Sequence, residues 1–540
     1  MIPAGTDEAG GQRAARQEDA ATGWTGGHNP WAVALVVTLA TFMEVLDTSI
    51  ANVSLPHIAG NLSVTQNEST WVLTSYLVSN AVVLPVSGWF ASRFGRKRFY
   101  MTCVALFATS SLLCGLAPSL GALVAFRVLQ GIGGGGLAPS EQAILADTFP
   151  ANKRGMAFAV YGMAVVLAPA VGPTLGGYIT DHASWRWIFF INVPVGAASL
   201  ALSSRFVSDP PHVRAAQERS GPIDFVGLGL IALGLGSLEV VLDKGQEDNW
   251  FESSFILGFS ITAAVALISF VLWERKQKAP VVDVHMFRDR NFASSNFMML
   301  ILGLTLYGST VLLPQFLQVL MGYTAERAGM ALSPGGFVVM MFLPLVGLLV
   351  SRVDTRLLIG FGFAVLSLSL FHMTRNINLA MDFGTAVRLR AYQSAGLAFL
   401  FVPINNLVFV GVPPEKNNAV SGVVNLARNL GGDIGIAFVT TFVARRAQFH
   451  QERLAAHAVA SDPTVTATLG QIARALAHAG GASADATRGA LALFYRQLQA
   501  QATTLAYLDV LRVMGFATAA MVPLLLLTRR PPKGAPQGAH

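Results

Sequence analysis

The chain has 540 residues, of which 53% are hydrophobic and only 12% charged, with 37 Lys and Arg against 30 Asp and Glu and a mean hydropathy of +0.52. A soluble domain carries about 25% charged residues, so this composition excludes an ordinary soluble enzyme or binding module and points to a membrane-embedded chain. The net charge of +7 is accounted for by basic residues flanking membrane spans, without a nucleic-acid partner.

Residues 1–29 read as a polar, Gly/Ala-rich cytoplasmic tail without a cleavable leader. A helix needs about 20 apolar residues to cross a bilayer. Fourteen segments qualify, at about 31–53, 70–91, 99–117, 119–141, 155–179, 187–207, 222–242, 253–273, 292–318, 326–350, 356–374, 386–410, 417–443 and 505–528. Residues 529–540 form a second cytoplasmic tail. The side carrying both termini holds 22 Lys and Arg, against 6 on the far side outside its one long loop. That bias places both termini in the cytoplasm. Cys103 and Cys114 lie eleven residues apart in one span, too far along a helix for a bridge.

Span 1 contains FMEVLDTSIANVSLP (42–56), with Glu44 and Asp47 three residues apart on one helical turn. Their Cβ atoms should lie about 5–6 Å apart. A charge in the bilayer interior is expensive, so the pair is expected to titrate as a coupled unit suited to carrying protons. GWFASRFGRKR (88–98) reads as a short basic turn after span 2. Span 4 carries Arg127, whose permanent charge needs a counter-ion and finds its natural one in the span 1 acids. GIGGGG (131–136) matches a dinucleotide-binding pattern literally. Inside an apolar span, with no preceding strand, it reads as close helix packing instead. No phosphate-binding loop of the G-x-x-x-x-G-K-[ST] type occurs, so no nucleotide drive, metal or other cofactor is expected. Glu141 is expected at the cytoplasmic rim of span 4. GPTLGG (172–177) places Pro173 among glycines and predicts a kinked, closely packed span 5. Glu239 is expected as an exposed charge at the outer end of span 7. Arg428 and Asp433 fall within span 13, and Asp509 and Arg512 one turn apart in span 14. Residues 445–503 form a long, Ala-rich outer loop, helical in pattern.

An internal repeat organises these spans. LPVSGWFASR (84–93) recurs as LPLVGLLVSR (343–352), an offset of 259. Arg127 and Gln130 recur as Arg390 and Gln393, and FPANK (149–153) as VPPEK (412–416), both at 263. The reading is an all-α integral membrane protein of two six-helix halves. Residues 30–208 make the first half, 209–290 a linker with two inserted spans, and 291–528 the second. Two halves in the same orientation are a transporter plan, with the substrate site near the midplane at their interface.

The stretches FMEVLDTSIANVSLP, GWFASRFGRKR, RVLQGIGGG, GPTLGGYITDHASWRWIFFINVPVG, LDKGQEDNWF and RNLGGDIGIA together resemble the major facilitator superfamily. Within it they are similar to the fourteen-span drug:proton antiporters of EmrB/QacA type, nearest the EmrB group. The resemblance implies proton-coupled multidrug efflux in the bacterial inner membrane, with small hydrophobic drug-like substrates, protons and membrane lipids as partners. It also implies a periplasmic adaptor and an outer-membrane channel. It assigns proton coupling to Asp47 and Arg127, with Glu44 as a proton or cation contact. Antiport rather than symport is implied by Gly172, Pro173, Gly176 and Gly177. A gating turn is implied at Gly88, Arg93, Gly95, Arg96 and Lys97. Ser92 and Ser351 stand where the family usually has an acid, and Asp354 is the one substitute nearby. Gln130, Arg428, Asp433, Asp509 and Arg512 are the remaining cavity candidates. The alternatives are an uptake symporter on the same scaffold and, in a different class, a channel or an intramembrane enzyme. No metal-spaced His pair or Ser/His constellation supports the last of these.

Overall fold

A computed structural model describes residues 27–218, 224–277, 280–459, 462–478 and 483–528. The expected tails 1–29 and 529–540 therefore lie outside the described residues except for 27–29. Among the described residues there is no strand, and a long helix occupies each of the fourteen expected positions. In the first half these are span 1, Pro30–Leu62; span 2, Trp71–Phe94; span 3, Arg96–Leu116; span 4, Leu120–Gly134 continuing as Leu137–Thr148; span 5, Ala151–His182; and span 6, Trp187–Phe190 continuing as Asn192–Phe206. Spans 7 and 8 are Phe225–Lys244 and Ser254–Glu274. Spans 9 to 14 are Arg290–Gln315, Ala325–Leu349, Thr355–Asn376, Phe383–Val408, Asn417–His457 and Ser483–Ala519.

Eleven of these are long and apolar enough to cross a membrane, and span 5 makes a twelfth if its bent halves count together. Spans 12 and 13 are less apolar. They carry Arg388, Arg390 and Gln393, and Asn425, Arg428 and Asp433, because much of their surface faces protein. Span 8 is the opposite case. It leaves Ile261, Val265, Ile268 and Leu272 exposed, a side-chain stripe suited to lipid. The long outer loop is largely helix. Span 13 continues to His457, Pro463–His478 is helical, and span 14 begins at Ser483. Span 13 alone has 41 residues, about 60 Å at the helical rise and twice a hydrocarbon core.

Lipid tails are as apolar as Leu, so helix association inside a bilayer rests on close packing of small residues. The repeated motifs place such residues at the seam between halves. A Cβ on Gly88 would sit 2.5 Å from the Ala419 backbone, and one on Gly347 3.0 Å from Gly155. Gly88 and Gly347 are equivalent in the repeat, as are Gly155 and Ala419 to within one residue. Span 2 therefore packs on span 13 as span 10 packs on span 5, the contact pattern of a two-fold pseudosymmetry. Gln142 and Asn425 bond across the same seam at 2.9 Å, and Phe158 stacks on Phe409. All these contacts lie toward the end of the bundle that carries residue 30.

Gly88→Leu should wedge spans 2 and 13 apart, at a cost of about 1–3 kcal/mol for overpacking. Spin labels at Ser92→Cys and Glu415→Cys, positions that line one small surface hollow, should report a longer distance in the Leu variant. An unchanged distance would show that this glycine is not what permits the closure.

Candidate functional site

Asp47 is 2% exposed and faces the interior of the first half. Three donors meet its carboxylate. Arg127 gives a guanidinium N–H to Oδ2 at 2.6 Å, Gln130 an amide N–H to Oδ1 at 3.0 Å, and Asn192 another to Oδ1 at 2.6 Å. Span 1 is thereby tied to spans 4 and 6. Arg127 is itself fully buried. It also donates to the Val72 carbonyl at 3.0 Å and to Gln130 Oε1 at 2.8 Å, with Tyr76 and Phe189 beside its guanidinium at 4.4 and 5.6 Å from the ring centres. Asn192 is fixed in turn by Ser111 at 3.0 Å. Every one of these contacts to Asp47 is a donor, the surrounding an ionised carboxylate requires.

Glu44 does not share that cage. Its Oε1 accepts from Tyr76 Oη at 3.2 Å and Asn80 Nδ2 at 3.1 Å, both on span 2. The Arg428 guanidinium, from the second half, acts on it electrostatically. Arg428 lies 5.9 Å from the Phe401 ring and stands beside the Tyr161 hydroxyl, while Tyr161 stacks on Phe401. Tyr307 of span 9 is within electrostatic reach of Glu44, Arg428 and Asp433. Glu44 and Arg428 thus lie within electrostatic reach of one another across the seam, one carboxyl and one guanidinium among aromatic rings, with no ion pair between them among the described residues. Asp47 sits behind them in the core of the first half. The two acids expected as one coupled unit occupy separate hydrogen-bond environments.

The second half repeats the cage without its acid. Arg390 bonds Gln393 at 2.7 Å, as Arg127 bonds Gln130, and reaches Ser309 and Thr310 at 3.3 and 3.2 Å. Thr310 stands 263 residues after Asp47, at the repeat offset. Among the described residues Arg390 makes no ion pair. Asp433 lies close to Glu239 of the inserted span 7, so two carboxyls from different spans approach one another there. Glu239 is therefore not the exposed end charge expected; it is buried, with Asp243 nearby and Thr74 bonded to Asp243. Asp509 and Arg512 pair at 3.0 Å, but Asp509 is also held by Arg446 and His450 of span 13 at 2.6 and 2.8 Å. That cluster braces the outer part of spans 13 and 14, away from the Glu44–Arg428 seam.

The basic turn after span 2 is organised by acids from elsewhere in the chain. Arg96 is buried and ion-paired to Asp147 at the end of span 4, and the other Asp147 oxygen accepts from Asn417 of span 13 at 2.8 Å. Gly95, at φ +89°, lets the chain turn sharply. Asp209 then caps span 3 through the Lys97 backbone N–H at 2.8 Å, and Lys97 Nζ bonds the Ser204 carbonyl. Arg93 lies over the Trp89 ring. Ser92 and Ser351 bond carbonyls within their own helices. Asp354, the substitute acid expected for this turn, instead caps span 11 through the Arg356 backbone N–H. In span 5, a Cβ on Gly172 would meet Ser49 at 2.3 Å and one on Gly176 would meet Ile50 at 3.0 Å, whereas Gly177 has open space. The helix bends by 41° between Asn152–Pro169 and Val171–His182, the bend following Pro169, with Pro173 just beyond it. Gly172 and Gly176 therefore seat span 5 on the turn of span 1 that follows Asp47.

Asn192, Tyr76, Asn80, Ser111, Tyr161 and Glu239 were not singled out from sequence as site residues. Each is a polar side chain within an apolar helix, a signal in itself, but only the packing shows which group it serves.

The sequence profile of the Major Facilitator Superfamily matches residues 37–436. Multidrug export protein EmrB of Escherichia coli K12 is 37% identical over 438 residues, covering 81% of this chain and 85% of that protein. Fatty acid resistance protein FarB of Neisseria gonorrhoeae is 38% identical over 443 residues, covering 82% and 86%. The solved proton:xylose symporter XylE shares the fold at a TM-score of 0.55 and 17% identity, over 80% of this chain and 91% of that one. The human organic anion transporter MFSD10 does so at 0.54 and 16%, over 91% and 100%.

Removing Arg127 leaves Asp47 charged in a closed interior, so Arg127→Ala should cost about 3–5 kcal/mol. Arg127→Ala combined with Asp47→Asn should recover most of that loss. Thermal unfolding in detergent measures both, and equal losses in the single and double variants would contradict the pairing.

Proposed function

Because this chain belongs to the major facilitator superfamily, we propose that it is a secondary active multidrug exporter of the inner membrane, driven by proton antiport, with both termini in the cytoplasm. The observation that carries the reading is the buried carboxylate of Asp47. It is held by one permanent cation and two amides, and a single proton would neutralise it. Multidrug export rests on the EmrB relatives, and drug-like amphiphiles suit the seam, where Glu44 and Arg428 stand among Tyr161, Tyr307 and Phe401. An apolar or aromatic body packs against such rings while one charge of either sign finds a partner. Export rather than uptake rests on the G-P-x-x-G-G stretch of span 5, which seats against Ser49 and Ile50, next to Asp47.

The cycle follows from these groups. With the cytoplasmic ends of spans 2, 5, 10 and 13 in contact, Asp47 is ionised and awaits a proton from outside. Protonation removes the charge that Arg127, Gln130 and Asn192 hold, which loosens the tie of span 1 to spans 4 and 6. The seam can then open to the cytoplasm, where drug enters and the proton leaves. One proton moving inward across 100 mV releases about 2.3 kcal/mol, and no bound cofactor is needed. The helical projection of spans 13 and 14 on the outer side offers a place for a periplasmic adaptor leading to an outer-membrane channel.

In proteoliposomes with an imposed pH gradient, the wild-type chain should move a cationic dye uphill, with protons flowing in the opposite direction. Asp47→Asn should still bind dye, yet lose uphill movement by about a hundredfold. Pumping by Asp47→Asn against a gradient would remove Asp47 from the coupling. Dye uptake with the proton flow, rather than against it, would replace export by symport.

A further inference from the structure

Glu141 lies in the second part of span 4, seven residues before its end, and is fully buried rather than at the rim that the sequence suggested. Both of its carboxylate oxygens lack a hydrogen-bond partner within the protein. Among the described residues no basic side chain pairs with it. The elements around it bring hydroxyls instead. Thr41 of span 1 adjoins the carboxyl through its backbone N–H, and its own Oγ1 is buried with no partner among the described residues. Tyr100 of span 3, whose hydroxyl donates to the Val37 carbonyl at 3.4 Å, interacts with Glu141 and stands beside Ser199 and Ser203 of span 6, whose buried hydroxyls have no partner at full hydrogen-bond geometry among the described residues. The other titratable or charged groups facing this region are Glu44 on span 1, Cys103 on span 3 and Tyr161 on span 5, with Arg428 of span 13 reaching Glu44 and Tyr161. Buried polar atoms are almost always satisfied by protein or ordered water. Several orphaned oxygens beside one buried carboxyl mark a small wet site. With no counter-charge among the described residues, this carboxyl can take up and release a proton through such water.

We propose that Glu141 is a second proton-carrying site, joined by ordered water to Thr41, Tyr100, Ser199 and Ser203, that passes protons from the level of Glu44 toward the cytoplasmic end of the first half. This rests on the antiport reading and extends it below the Asp47 cage. The position fits the direction. Thr41 is one turn from Glu44 toward the N-terminus of span 1, and Glu141 is about 10 Å from the cytoplasmic end of span 4 at the helical rise. In the transfer, Glu141 first yields its proton to water at the cytoplasmic end, and the charge of the first half falls by one. The O–H bond of the Glu44 carboxyl then breaks as water or a hydroxyl hands a proton to the Glu141 carboxylate, which leaves the charge of the first half unchanged.

The full chain in lipid vesicles tests this with Glu141→Gln, Glu141→Asp and a Ser199→Ala, Ser203→Ala pair. Glu141→Gln should bind dye and exchange it downhill as wild type does, lose about tenfold of uphill export, flatten the pH profile of export and lose a protonated-carboxyl infrared band. Glu141→Asp should restore most of the export. The serine pair leaves the carboxyl in place and should slow the proton flow. If Glu141→Gln does not reach the membrane, the serine pair and the infrared titration of the wild type decide. A wild-type pH profile in the serine pair, or no carboxyl band beyond that of Glu44, overturns the proposal. So does a Glu141→Gln variant with unaltered export and infrared spectrum. Asp47→Asn measured alongside separates the two readings: if it is inactive while Glu141→Gln is unaffected, only the relay falls, whereas uphill export by Asp47→Asn overturns antiport through Asp47 itself.

Discussion

The organisation of the first half depends on one buried ion pair. A guanidinium cannot give up its charge inside a protein, so once Arg127 is placed in the core of span 4 a carboxylate must meet it. Asp47 does so, and the amides of Gln130 and Asn192 complete its coordination. Desolvation makes such pairs weak contributors to stability unless every lone pair is satisfied. Here the two amides add donors to the carboxylate, while the buried Nη2 of Arg127 has no hydrogen-bond partner among the described residues. The result is a joint between spans 1, 4 and 6 whose strength depends on the charge of a single titratable group, which is the property a proton-driven conformational change requires.

The two halves are alike in packing and unlike in charge. Gly88 on Ala419 and Gly347 on Gly155 are the same contact made twice, and the Arg390–Gln393 bond repeats Arg127–Gln130. Yet Thr310 stands where the repeat would put Asp47, and a hydroxyl cannot be switched by a proton in the same range. On the proposed antiport reading the first half holds the switch, while the second supplies Arg428 and the aromatic wall of the seam. The inserted span 7 adds a contact of its own, packing along span 2 and meeting span 13 through the Glu239–Asp433 pair.

Hydropathy placed the long apolar helices, eleven of the fourteen and span 5 as a twelfth, because lipid demands length and apolarity of each one separately, and the repeat offset placed the halves because duplicated contacts leave duplicated residues. The acid–arginine pairing was legible for a similar reason: a permanent charge in an apolar run implies its partner. Positions along a helix relative to water were not legible. Glu141 was read as a rim residue and Glu239 as an exposed end, since a helix does not reveal which neighbours cover it. Asp354 was read as a possible latch, whereas it caps its own helix, and the acids that organise the basic turn, Asp147 and Asp209, come from spans and linkers distant in sequence.

The amino-acid sequence alone determined the membrane-spanning class, the two-half plan and the presence of an acid–base pair within the spans, because each follows from the cost of placing a residue in hydrocarbon. The tertiary structure decided which groups share a cage and which stand apart. It set Asp47 among three donors, turned Glu44 toward Tyr76, Asn80 and the second half, and left Glu141 among hydroxyls. Those outcomes depend on which helix faces which, and the local pattern of a single helix carries no record of its neighbours.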